Sequence, residues 1–257
     1  MVMRQFLAFA RLSFQEDMAY RAEKFIWTVI QFGSLVPIVS LWVLLSRTGV
    51  ISVSDSQYLT AYYLLILVIS RLSGSDLEEE LIKEIKDGQI SRDLIKPFPY
   101  YLSVLAKDSV WRVAYIPYIM PAIIILFFLI PPTQLLFFVP LVLLAYLQRS
   151  LISFLIGISA FWVDQAEALT HLKWMFASIA SGAMLPLTFF PTWFQNFSQW
   201  TPFYHWGFFP SQVVLGRASV SEVLFGLTLS VSWVVVLAVI TRYVWQKGLL
   251  RYGAVGG

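Results

Sequence analysis

The sequence predicts an all-α polytopic membrane protein, on three observations. Of its 257 residues 58% are hydrophobic and 13% charged, with a mean hydropathy of +0.72, far from the composition of a soluble domain. The apolar runs are long and do not alternate. They are therefore helices and not barrel strands, since a hydrocarbon core about 30 Å thick takes roughly 20 apolar residues as helix and requires every backbone polar group to be satisfied internally. Finally, the positive charges are sorted by side. With the N-terminus inside, all 18 Lys and Arg fall on or close to the cytoplasmic side, except Arg47 and Arg217 outside and Arg149 within a span.

Six spans are expected, at residues 25–46, 57–73, 109–130, 134–162, 172–190 and 222–244 of a single domain covering 1–257. The sorting of Lys and Arg puts both termini in the cytoplasm of a cell whose inner (plasma) membrane holds the protein. The first run begins only at Phe25, is too long for a signal peptide and lacks a small-residue cleavage site, so it is expected to persist in the mature chain. Without cysteine, neither disulfides nor thiolate metal sites are available. The formal net charge of +3 is assigned to inner loops facing anionic lipid, and no nucleic-acid partner is inferred from it.

Ahead of the first span, Met3, Phe6, Leu7, Ala10, Phe14 and Met18 recur at helical spacing, with Arg4, Arg11 and Gln15 off that stripe. Residues 1–24 thus read as an amphipathic helix in the cytoplasmic interface, a charged lead-in being the alternative.

The main polar interruption is residues 74–108, two spans before it and four after. Ser75 followed by Glu78 matches a capping box, and Leu77, Leu81, Ile82 and Ile85 form an apolar stripe. Glu79 and Lys83 stand in the favourable i, i+4 order, and Gly88 suits a helix C-terminus. A second short helix is expected over 92–95, capped by Ser91 and stopped by Pro97 and Pro99. The plain alternative is a solvated charged loop, against which stands a stripe that needs an apolar cover.

Residues 189–209 hold 11 aromatics in 21 positions. Pro191 and Pro202 break the segment too often for one span, and it is too apolar for a free loop. Short helices dipping into the outer leaflet over 191–220 are one reading, and an aromatic belt anchoring the span ends is the other. The pairs Ser153/Gly157, Ser178/Gly182 and Gly226/Ser230 would let helices approach closely, although such spacings arise readily by chance.

Several chemistries are missing. No G-x-x-x-x-G-K-[ST] phosphate loop occurs, so energy from ATP has to come from another subunit. The two histidines, His171 and His205, are expected on opposite sides of the bilayer, which argues against a metal site. A lipid-modifying membrane enzyme lacks a credible acid, base and nucleophile set. Arg149, beside Gln148 and about midway along the fourth span, is the clearest intramembrane charge. It has four readings: lining a path, pairing with a carboxylate such as Glu222, lying at a dimer interface, or snorkelling to water. Asp164 and Glu167, near Lys173, read as a solvated inner end.

At this point the residues resemble a known family. The run Ile85-Lys-Asp-Gly-Gln-Ile-Ser-Arg-Asp-Leu-Ile-Lys-Pro-Phe is the most specific match. With it go Gly182, Pro186, Phe190, Pro191 and Trp193, the Pro202-Phe203 pair, and the tail Trp245-Gln-Lys-Gly-Leu-Leu-Arg-Tyr. Together they make the chain similar to ABC-2 type permeases, the membrane subunits of ABC transporters, in a bacterial subgroup of about 260 residues. The resemblance implies six spans, a cytoplasmic coupling helix between spans two and three, and short outer helices between spans five and six. It also implies a unit of two permeases, the same or related chains, with two ATPase subunits that bind ATP and Mg; no cofactor is expected in this chain. On this reading Glu79, Glu80, Lys83, Glu84, Lys86, Asp87, Arg92 and Asp93 contact the ATPase, while Arg149, Trp193, Phe197 and Trp200 belong to a translocation path or gate. Export of an apolar or amphiphilic cargo is the expected activity. A stand-alone secondary transporter and a non-transporting assembly subunit remain as alternatives.

Overall fold

The computed structural model describes residues 21–95 and 98–255, and no strand occurs among them. The expected interfacial helix lies outside the described residues up to residue 20, and its last four positions instead open the first long helix. In order, the helices are α1 (Arg21–Arg47), α2 (Val53–Ser73), α3 (Leu77–Lys86), α4 (Ile90–Leu94), α5 (Tyr100–Ala114), α6 (Ile116–Leu129), α7 (Pro132–Ile158), α8 (Glu167–Ala180), α9 (Thr192–Gln199), α10 (Phe208–Val214) and α11 (Val220–Val255). Short 3₁₀ helices at Ser159–Phe161, Leu187–Phe189 and Pro202–Trp206 join some of them.

Among the described residues, four helical stretches are long and apolar enough to cross a membrane: Arg21–Arg47, Val53–Lys86, Pro132–Phe161 and Val220–Tyr252. A fifth is obtained if α5 and α6, bent by 57°, count as one span. The expected third span at 109–130 is therefore a broken helix that starts earlier, at Tyr100, with Pro99 at its N-cap. The break falls at Tyr115, two residues before Pro117, because a proline has no N–H to donate to the preceding turn and its ring crowds the carbonyl four residues back.

The fifth expected span differs more. In place of 172–190, α8 ends at Ala180 after 14 residues, short of a full crossing. Gly182 takes φ +74°, in the left-handed region open to glycine, and the Met184 N–H returns to Ser178 O at 2.9 Å. The irregular backbone beyond it is satisfied by neighbours: Tyr62 Oη donates to Gly182 O at 2.8 Å, and the Phe208 N–H donates to Ser181 O at 2.8 Å. Those two bonds satisfy backbone carbonyls that the end of the helix leaves without a helical partner.

Helix α2 is the hub. In its most apolar window 61% of the residues are buried, against 11% for α1, which turns Phe25, Ile26, Val29, Ile30 and Val36 outward. One core joins α2, α6, α7 and α10 through Leu65, Ile69, Ile119, Leu126, Leu141 and Val214. A second fastens the α3–α4 layer to α5, α7 and the end of α11 through Leu81, Ile85, Ile90, Tyr100, Phe154 and Phe161.

Candidate functional site

Two features stand out beyond the cores: the α3–α4 layer and a charged cavity beside it. In α3 the stripe Leu77, Leu81, Ile82 and Ile85 is buried as its spacing predicts. The contact with α7 is very close, since a Cβ added at Gly157 would stand 2.6 Å from Leu81 Cδ2. A side chain at 157 would therefore push α3 away.

The opposite face of the layer is charged. Glu79, Glu80, Lys83, Lys86, Asp87 and Arg92 are exposed, whereas Glu84 and Asp93 are half-buried. Several are already engaged within the chain. Glu84 accepts from Tyr100 Oη, Lys107 Nζ approaches Glu80 at 3.4 Å, Arg92 donates to Gln89 at 3.1 Å, and Lys86 Nζ bonds both Glu167 oxygens at 2.7 and 2.9 Å. That hydrogen bond with Lys86 holds the exposed Glu167 carboxyl below its ordinary pKa.

The turn after α3 is pinned from a distance. Gly88 adopts φ +69°, and Tyr252 Oη reaches Gly88 O at 3.2 Å and Ser91 Oγ at 2.6 Å. Trp245 stacks on Tyr100 at 5.3 Å with the rings 9° from parallel. Helix α11 thus runs on past the expected end of the sixth span to brace this layer. The second short helix starts at Ile90, two residues before its expected position, and Ser91 bonds back to Gly88 O at 2.8 Å instead of capping it.

The expected capping box is absent. Asp76 is the N-cap of α3 and makes no side-chain cap bond. Glu78 is fully buried and forms an ion pair with buried Lys173 of α8. Lys173 Nζ also donates to Ser153 Oγ at 3.2 Å and to Ser75 O at 3.3 Å, and Ser153 Oγ donates to Ser75 O at 2.9 Å. A buried cation claims the carboxylate because leaving either charge alone would cost more than an unmade cap. Glu78 lies at i and i+4 with Ile82 on the covered face, and that spacing was the available signal for its burial.

The cavity has a volume of about 200 Å³ and is lined by residues of α1, α2, α5, α7 and α8, the chain around Gly74–Asp76, and Trp206. Four cations line it: Arg71, Arg112, Arg149 and Lys173. Arg112 is paired with Asp76 and Asp108, each at 3.2 Å, and Lys173 with Glu78. Arg71 donates to Gln31 and lies 4.8 Å from the Tyr115 ring. Arg149 stands over the Trp206 ring at 5.0 Å and donates weakly to Trp206 O at 3.4 Å, while its buried Nε has no hydrogen-bond partner. It does not pair with Glu222. That carboxylate caps α11 by accepting from Ser219 N at 2.7 Å and Ser219 Oγ at 2.6 Å, a capping box in which the residue at the third helical position reaches back to the cap.

Arg149, Ser153 and Gly157 follow one another at intervals of four on a single face of α7. They meet, in turn, Trp206, the Ser75–Lys173 knot and Leu81. About 12 Å of helix separates the first from the last. Beside Arg149, Gln148 Nε2 donates to Ser230 O at 2.9 Å, tying α7 to α11.

At the end of the molecule carrying α9 and α10, Trp193 and Phe197 of α9 and its C-cap Trp200 are exposed, at 69%, 60% and 60%. They do not line the neighbouring cavity of about 240 Å³, whose wall includes Gln195, Asn196, Gln199, Gln212 and Glu222. His205 is buried there with Nδ1 2.9 Å from Ser230 Oγ, and Gly226 packs against the Phe209 ring. The close-packing pairs thus have specific contacts. Among the described residues no three His, Asp or Glu side chains come together as metal ligands would.

A bundle of apolar helices with buried charges at mid-helix and a charged layer at one end defines a multi-pass membrane protein. The match to the family model described as ABC-2 family transporter protein covers residues 29–256. The chain belongs to that family and is a permease component of an ABC transporter, and the family implies a complex with an ABC ATPase. No curated protein matches the chain.

Proposed function

We propose that the α3–α4 layer is the surface on which the ATPase docks, and that α7 carries its motion to a translocation path beside Arg149. The observation that carries this reading is the seating of α3 on the Gly157–Ser153–Arg149 face of α7. A layer held through a glycine contact and a buried ion pair moves with the helix beneath it, which rigid transmission requires. Its outward face offers Glu79, Lys83, Asp87 and Arg92 to a soluble partner, with Glu80, Glu84, Lys86 and Asp93 as a partly engaged surround.

In this arrangement both termini and the α3–α4 layer face the cytoplasm of a cell whose inner membrane holds the protein. The chain crosses six times if α5–α6 is one broken span and α8 with its following segment another. Two ATPase subunits bind ATP and Mg, and two permeases, the same or related chains, enclose the path. Cargo moves outward, with the exposed Trp193, Phe197 and Trp200 forming part of the outer gate at the headgroup level. The Lys83→Glu, Arg92→Glu double variant, which changes two exposed cations, should lose ATPase co-purification and ATP-driven transport while the permease stays folded. Retention of both activities would remove the coupling role.

A further inference from the structure

Arg149 is the cation whose surroundings leave its charge unbalanced. Its partners are one carbonyl at 3.4 Å and the face of Trp206, its Nε is buried without a hydrogen-bond partner, and none of the described carboxylates lies within 4.0 Å. Arg71 on the same wall donates to the amide oxygen of Gln31, lies against a tyrosine ring and forms no ion pair within 4.0 Å among the described residues. The carboxylates nearby, Asp76, Asp108 and Glu78, are taken by Arg112 and Lys173. The wall therefore carries more cations than carboxylates where the last turn of α2 meets the middle of α7, and a buried charge there persists only if it meets a counter-charge, water or a ligand.

We propose that this cavity binds the oxyanion head, phosphate or carboxylate, of a net anionic amphiphile, one with no ammonium group on its head to neutralise it, with Arg149 as its principal contact and Arg71 beside it. The guanidinium presents its donors in a planar fork that suits both oxyanions. The size fits a head group and not a whole amphiphile, at about 200 Å³. Apolar surface for a tail adjoins it: Trp174 both lines the cavity and is exposed, and Leu172, Met175 and Phe176 on the same helix are exposed. This deepens the proposed path by naming a cargo chemistry, and it rests on that reading only for the claim that the bound molecule is moved.

The test is binding to the purified full chain in detergent, without ATP, so it stands apart from transport. The probes are fluorescent phosphatidylglycerol, a fluorescent fatty acid, phosphatidylcholine of the same chain length, and inorganic phosphate. The two anionic amphiphiles should bind, phosphatidylcholine should compete at least about tenfold less well, and millimolar phosphate should displace neither. Arg149→Gln should weaken binding about tenfold or more, and Arg149→Lys should restore part of it, with thermal unfolding confirming that both variants fold. If Arg149→Gln binds as the native chain does, or phosphatidylcholine competes equally, the proposal is overturned. Displacement by inorganic phosphate alone would assign the site to the free anion and overturn the amphiphile. Binding that persists in a chain that moves no cargo would leave the site standing and defeat only the transport reading.

Discussion

The α3 layer and the cavity beside it use the same face of α7 and settle their charges in opposite ways. Around α3, Lys173 is buried against Glu78, with Ser75 and Ser153 completing its shell. Two turns along the helix from Gly157, Arg149 has a ring, one carbonyl and an open cavity. A closed cation holds the fold together, whereas an open one is a group whose partner is supplied from elsewhere. The difference separates residues that build this protein from residues available to act.

Substitutions should sharpen the contrast. Lys173→Met strands the Glu78 carboxylate in the interior and should cost about 3–5 kcal/mol, seen as a large fall in thermal unfolding temperature in detergent. Arg149→Gln, by contrast, should leave that temperature nearly unchanged. An equal loss from both would erase the distinction. Gly157→Leu comes next. It forces a side chain into Leu81 and should cost about 1–3 kcal/mol, with ATP-driven transport reduced more than the amount of folded protein.

The smallest effect concerns the exposed Lys86–Glu167 bridge. Because the folded carboxyl has a depressed pKa, its contribution is present above the unfolded value of about 4.3 and disappears as pH falls through the folded one. Glu167→Gln should therefore remove a small stabilisation at neutral pH and flatten the pH dependence of unfolding slightly in that acidic window. A change at pH 7 matching that of Lys173→Met would mean that the surface pair, and not the buried one, secures α8 to the layer.

Periodicity and composition made much of this architecture legible. Most of the long apolar runs, the Leu77–Ile85 stripe and the proline-broken aromatic segment appear as helices near their expected positions, while the run expected at 172–190 ends early, at Ala180. What could not be read was decided by contacts distant in sequence. Glu78 looked like a cap residue because its buried cation is 95 positions away, and Tyr252 gave no local hint that it would bond to Gly88 and Ser91. The early end of α8 turns on Gly182, whose left-handed backbone is held by Tyr62 from another helix. Arg149 was recognisable as unusual from its place in an apolar run, but only its surroundings reveal that Glu222 is occupied elsewhere.

The central claim is that the ATPase meets this chain at α3–α4. The sequence has no cysteine, so a single one can be introduced and labelled with a photoactivated crosslinker in the assembled transporter. At exposed Asp87, the Asp87→Cys label should capture the ABC ATPase, while a Trp193→Cys label should not. ATPase adducts at position 193 and none at position 87 would contradict the account.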